Sequence, residues 1–158
     1  MKRNYVDVPL LQQREIEIKI LGPVIRAFAE EFGKEKTYDL VRKTLQGISR
    51  DLGRETSIDG GGLDNLKNKL VSKWNEGGQL EMEIKEDSES VLNFDVTRCE
   101  FANLYKDLGY GDIGALISCD RDAAFLDGFD SDLELLRDNT LMAGDKFCDF
   151  CYRKKSNS

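Results

Sequence analysis

The spacing of apolar residues in this chain first changes at Gly77-Gly78, and that change separates a purely helical part from one that contains strands. Before it, apolar residues recur every three or four positions. Gln12 to Gly33 carries Leu21, Val24, Ile25, Phe28 and Phe32 on one helical face and stops at Gly33, with Pro23 expected to kink or break it. Lys34 to Leu52 repeats the pattern with Val41, Leu45, Ile48 and Leu52 and closes at Gly53, which predicts an antiparallel helical hairpin around one seam. Gly60, Gly61 and Gly62 read as a flexible turn before a shorter helix with Leu63, Leu66, Leu70 and Trp74. A phosphate loop would need a preceding apolar strand and a nearby Lys-Ser/Thr pair, and the sequence has neither.

After the two glycines, Leu80, Met82 and Ile84 alternate with Glu81, Glu83 and Lys85, the signature of a strand with one wet face. Leu92, Phe94 and Val96 return after a turn at Glu86 to Ser90. Cys99 to Leu108 and Asp112 to Phe125 read as helices separated at Gly109 and Gly111, with Asp112 as an N-cap. Leu133 to Asp138 and Lys146 to Arg153 read as two more strands joined by a turn that includes Gly144. The order predicts an α+β domain, with an N-terminal helical hairpin and further helices packed on an antiparallel sheet of about four strands. It forms one unit over residues 1–158, with a disordered tail at 154–158.

A chain of 158 residues buries roughly two-thirds of its unfolded surface in one core, so neither disulfides nor metal are required for folding. There is no histidine, which removes Ser–His–Asp and Cys–His relays and His-ligated zinc. Any chemistry must run on Cys, Asp, Glu, Lys, Tyr or Arg. Lys plus Arg total 23 against 30 for Asp plus Glu, a formal charge of -7 with no segregated basic stripe, which argues against nucleic acid. MKRNYVDVPLL leads into QQRE without an apolar signal region, and no stretch approaches a membrane span. The expectation is a cytoplasmic protein with reduced thiols and no membrane partner. Whether it forms a homo-oligomer is left open.

All four cysteines lie between Arg98 and Arg153. Cys148-x-x-Cys151 suggests a zinc knuckle or redox pair, but residues three apart on a strand face opposite ways, and Cys99 and Cys119 supply no second close pair. No metal and no cofactor are therefore expected. Cys119 and Asp122 are three apart on a predicted helix, so thiol and carboxylate would share one face. The carboxylate disfavours a thiolate, and Arg137, on the face of Leu133 and Leu135, is the candidate compensating cation. The competing reading makes Cys119 a buried small hydrophobe and Asp122 a plain partner of Arg137. Cys99 opens the next helix beside Arg98, where N–H groups lower a thiol pKa, and is a second nucleophile candidate. Asp120, Arg121 and Asp127 read as solvated or pairing charges, and Tyr105 and Tyr110 as core.

Arg98-Cys99, Cys119-x-x-Asp122, Arg137-x-x-Thr140 and Gly144-x-x-x-Cys148-Asp149-Phe150, with PVIRAFAEEFGKEKTYDLVRK at Pro23 to Lys43, together resemble the L-2-amino-thiazoline-4-carboxylic acid hydrolase family over nearly the whole chain. The ending is also similar to that of 4-vinyl reductase domains and related trafficking-complex subunits. The first resemblance implies hydrolysis of a C–N or C=N bond in a small cyclic amidine-like acid, in which Cys119 would attack the amidine carbon or position water for that attack, with Cys99 and Cys148 as competing nucleophiles. Asp122 would transfer protons, Arg137 would bind the substrate carboxylate and Thr140 would orient either group. The second implies a layered α+β fold with a buried small-molecule pocket, and an alternative function: a ligand-binding or sensory domain without turnover.

Overall fold

The structure, a computed structural model, describes residues 8–156. Helix α1 (Leu10–Phe32) continues through Pro23 without a break. Gly33 alone ends it and begins α2 (Lys34–Thr56), at a φ of 94° that a side chain would disfavour. The face of α1 turned inward is not the one expected. Ile18, Gly22 and Ile25 are buried, whereas Val24, Phe28 and Phe32 are exposed. Gly22 explains the rotation: the Tyr110 ring lies where a β-carbon would be, so this bare stretch of backbone must face inward. In α2 the buried positions are Thr37, Ser49 and Gly53, while Ile48 and Leu52 of the expected seam are exposed. Gly53, expected to stop the helix, sits inside it.

A 3-10 turn at Ser57–Asp59 and the three glycines lead into a continuous helical stretch: α3 (Leu63–Leu66), a π-helical turn at Lys67–Val71, and α4 (Ser72–Trp74). Strands β1 (Leu80–Asp87) and β2 (Val91–Cys99) then pair as the predicted hairpin, followed by α5 (Glu100–Asp107) and α6 (Gly111–Ile117). Tyr110, not Asp112, precedes the first residue of α6. The single helix expected from Asp112 to Phe125 is in fact two. Ser118 leaves the helical path at φ -118° and ψ -74°, Cys119–Arg121 form a 3-10 turn, and α7 spans Asp122–Phe129.

Strand β3 (Leu133–Leu136) stops one residue before Arg137, a 3-10 turn occupies Leu141–Ala143, and β4 (Cys148–Lys154) completes the sheet in the all-antiparallel order β1-β2-β4-β3. The fold class is the expected one: α+β, with an N-terminal helical pair on a four-stranded antiparallel sheet. The tail expected to be disordered from residue 154 begins inside β4, and the Lys155 N–H donates to Asp132 at 2.7 Å. Residues 157–158 of that tail, like residues 1–7, lie outside the described residues.

Two apolar clusters hold the layers together. The larger joins one face of the sheet (Leu92, Phe94, Val96, Phe150, Tyr152) to the α3–α4 stretch and α7. The smaller joins α1 to α5 and α6 through Ile18, Ile25, Tyr105, Ile113 and Ile117. Cys99 and Leu141 touch both. Burying a leucine or phenylalanine side chain contributes about 1.5–3 kcal/mol, so these clusters supply the main drive to fold. Helices α2 and α7 cross with unusually little between them. A β-carbon on Gly53 would overlap the Phe125 carbonyl, and one on Gly128 would overlap that of Arg50.

Candidate functional site

A cavity of about 350 Å³ opens where the two clusters meet. Leu10, Leu52, Leu70, Trp74, Phe101 and Phe125 make much of its wall apolar. Cys99, Cys119, Cys148, Asp122 and Arg137 all line it, so the structure gathers five of the six expected site residues in one place. They arrive from separate elements: Cys99 from the end of β2, Cys148 from the start of β4, Cys119 from the 3-10 turn, Asp122 from the first turn of α7, and Arg137 from just beyond β3. Thr140 is the exception. Its Oγ1 accepts the Ala143 N–H at 3.2 Å and its own N–H donates to Asp145 at 2.8 Å, so it caps the Leu141–Ala143 turn and is absent from the cavity wall.

Arg137 and Asp122 form an ion pair of 2.6 Å, with side chains only 12% and 18% exposed. The other arm of the guanidinium donates to the Cys119 carbonyl at 3.0 Å, and its plane lies 4.8 Å from the Phe150 ring centre. Arg137 thus already spends two of its donors on protein groups, and it meets the backbone of Cys119, not its thiol. Burial pushes the Asp122 carboxyl above the ordinary aspartate value, against the pull of Arg137. Its Oδ2 takes the guanidinium, and no described residue donates to Oδ1.

Burial disfavours the thiolate at each of the three cavity cysteines. Burial, reinforced by Asp122 and only partly opposed by Arg137, pushes Cys119 far above the range of a free cysteine. Burial also raises Cys99, although the Ala102 and Phe101 N–H groups at the start of α5 pull the other way as the sequence suggested. Arg98 does not assist, because it is turned to Glu81 and Glu100 on the wet side of the sheet. Burial raises Cys148 too, against the Leu141 N–H that meets its sulfur at 3.2 Å. Cys148 is buried and Cys151 half-buried on the opposite strand face, as alternation requires. Among the described residues, no three His, Cys, Asp or Glu side chains gather to hold a metal.

Among the described residues the wall carries five cationic residues, Arg14, Lys69, Lys73, Arg121 and Arg137, against the single carboxylate of Asp122. Arg121, expected to be a solvated or pairing charge, lies on this wall without a carboxylate partner among the described residues. Burial, and then the like charge of Arg14, hold its guanidinium below the ordinary arginine value. No periodic signal marks it, because a 3-10 turn places it. Arg14 was findable: it falls one turn before Ile18 on the stripe that α1 buries. Asp120 and Asp127 do pair as read, with Arg42 at 2.9 Å and Arg50 at 3.9 Å.

An antiparallel sheet with one covered face, closing a cavity lined by cations and thiols, defines an α+β protein built around an internal site. Residues 13–152 match the family model described as L-2-amino-thiazoline-4-carboxylic acid hydrolase, and the chain belongs to that family. Membership supports a hydrolase-like function. No curated protein matches the chain. No helix among the described residues is long and apolar enough to cross a membrane.

Proposed function

We propose that this protein hydrolyses a C–N or C=N bond of a small cyclic amidine-like carboxylic acid, such as L-2-amino-thiazoline-4-carboxylate, and that Asp122 activates the water. The observation that carries the reading is a buried carboxylate on the cavity wall, clamped through one oxygen by Arg137 and with the other oxygen free of donors. Water attacks the amidine carbon while its proton passes through Asp122 to the ring nitrogen, turning C=N into a single bond. The second proton follows the same route as that C–N bond breaks and the carbon–oxygen bond becomes a carbonyl. Both protons of the added water end on the departing nitrogen, and Asp122 returns to its starting state.

In this scheme Cys119, Cys99 and Cys148 stay protonated and shape the wall, and Arg137 positions Asp122. The alternative, with Cys119 as a covalent nucleophile, requires a thiolate in a place where burial opposes one. The partner is a small acid, and the cytoplasmic location expected from the sequence is retained. The test is turnover of the thiazoline acid. Asp122→Asn should lower kcat at least a hundredfold, while Cys119→Ala should keep most of it. A folded Asp122→Asn protein with wild-type kcat would sink the proposal.

One observation favours a second reading, a binding domain without turnover: much of the wall is apolar. That protein would bind the acid, show no hydrolysis as wild type, and bind it equally well after Asp122→Asn.

A further inference from the structure

The cations around the cavity differ in what already holds them. Arg137 is held by Asp122, the Cys119 carbonyl and the Phe150 ring. Arg14 is paired with Glu17 at 2.6 Å, its side chain only 13% exposed. Lys69 donates to the Thr56 carbonyl at 3.0 Å, and Lys73 is exposed. Arg121 is left. Among the described residues it has no carboxylate partner and no side-chain hydrogen bond, although it is only partly exposed and lines the cavity. The neighbouring Asp120 and Asp122 do not serve it, being held by Arg42 and Arg137.

A guanidinium half-withdrawn from water and holding no carboxylate of its own, feeling the like charge of Arg14 and only the more distant opposite charges of Glu17 and Asp122, is incompletely compensated in the empty protein. Its cost is offset when an anion enters, because a planar carboxylate matches the guanidinium fork with two parallel hydrogen bonds. A second feature lies nearby. The Tyr105 hydroxyl is fully buried without a hydrogen-bond partner among the described residues, in a position that feels the charges of Arg14, Glu17 and Arg121.

We propose that Arg121, on the same wall as Arg14, is the anion anchor of the cavity, and that it receives the carboxylate of the bound acid in the role the sequence assigned to Arg137. The inference rests on the hydrolase reading for the identity of that acid, but the anchor itself requires only a monocarboxylate small enough for the cavity. Arg121 and Asp122 are consecutive residues at the start of α7. One short turn therefore sets both where the acid is gripped and which carbon faces the proton-transferring carboxylate. It selects acids over their neutral amides.

The test uses two ligand pairs and the intact protein. Affinities of L-2-amino-thiazoline-4-carboxylate and its carboxamide are measured by calorimetry for wild type, Arg121→Gln and Arg137→Gln. Wild type should prefer the acid at least tenfold. Arg121→Gln should abolish the preference by weakening the acid alone, and Arg137→Gln should keep the preference while losing turnover. If neither thiazoline binds, the hydrolase reading fails on its own, and the anchor is judged by benzoate against benzamide in thermal shift. Benzoate should then raise the wild-type Tm and leave that of Arg121→Gln unchanged. Ligand-free Arg121→Gln should melt no lower than wild type, since it relieves an unpaired charge. Equal acid preference in wild type and Arg121→Gln, loss of preference only in Arg137→Gln, or a marked fall in the Tm of empty Arg121→Gln would each overturn the proposal.

Discussion

Asp122 shows how one side chain can be both held and available: Arg137 fixes Oδ2 while Oδ1 is left without a donor. A general base must be ionised, and burial raises this one, so the acid limb of kcat/KM should lie above the value of about 3.9 for a free aspartate. Asp122→Asn should remove that limb along with the activity. A limb at the free-aspartate value would show that the titrating base is another group. Thiol labelling checks the same site from the opposite side. With burial pushing Cys99, Cys119 and Cys148 upward, all three should react with iodoacetamide at pH ~8 more slowly than a free cysteine of pKa about 8.5. Asp122 opposes all three thiolates, but for Cys119 it is the largest cause after burial, so Cys119 should be the slowest. Peptide mapping after brief alkylation decides it, and a fast Cys119 would restore the covalent mechanism.

At the scale of elements, the segment between β3 and β4 is fastened by Asp149. Its carboxylate accepts the Asp138 N–H at 3.1 Å, the Asn139 N–H at 2.6 Å and the Asn139 amide at 3.2 Å. Burial would raise this carboxyl, but the hydrogen bonds outweigh it and hold it below the ordinary value. Its stabilisation is therefore present above about pH 3.9 and is lost as pH falls through the folded value. Asp149→Ala should cost about 1–3 kcal/mol at neutral pH by stranding those donors, and the gap to wild type should close in acid; denaturant titration at two pH values measures both. The motif role of Asp149 was visible in the sequence, but its mechanical role was not, since the loop it fastens has no periodicity. Strands were legible because alternation in Leu92, Phe94 and Val96 survives in the burial of β2. The break at Ser118 was not, for neither Gly nor Pro marks it. Nor was the rotation of α1, where two neighbouring apolar stripes compete and contact between Gly22 and Tyr110 selects one. Arg121 escaped for the same reason as Ser118: tertiary packing, not local preference, makes the turn that carries it.

Across the whole molecule, buried groups that must stay protonated set an alkaline limit on stability. Cys99, Cys119, Cys148, Tyr105 and Tyr152 are all raised by burial. Above about pH 8.5 the unfolded chain begins to release thiol protons that the native state retains, so the stabilisation is complete below that pH and declines as pH climbs toward the folded values. The Tm should fall progressively from pH ~8.5 to ~10.5, and Cys119→Ala should flatten the decline; a flat wild-type profile would contradict it. Replacing Gly128 by Ala should cost about 1–3 kcal/mol by wedging α7 off the Arg50 carbonyl, seen as a lower denaturant midpoint. That glycine contact also governs motion. Two helices that touch backbone to backbone have no side chains between them to change rotamer, so the wall formed by Ser49 and Leu52 moves together with that formed by Asp122 and Phe125. The cavity already reaches solvent past the exposed Leu52 and Lys73, and the π-helical turn at Lys67–Val71, whose hydrogen-bond register is irregular, is where its rim can yield further. Native-state amide exchange should find α7 and the second half of α2 opening as one slow unit, with the stretch from Leu63 to Trp74 opening sooner and closing when a ligand is bound.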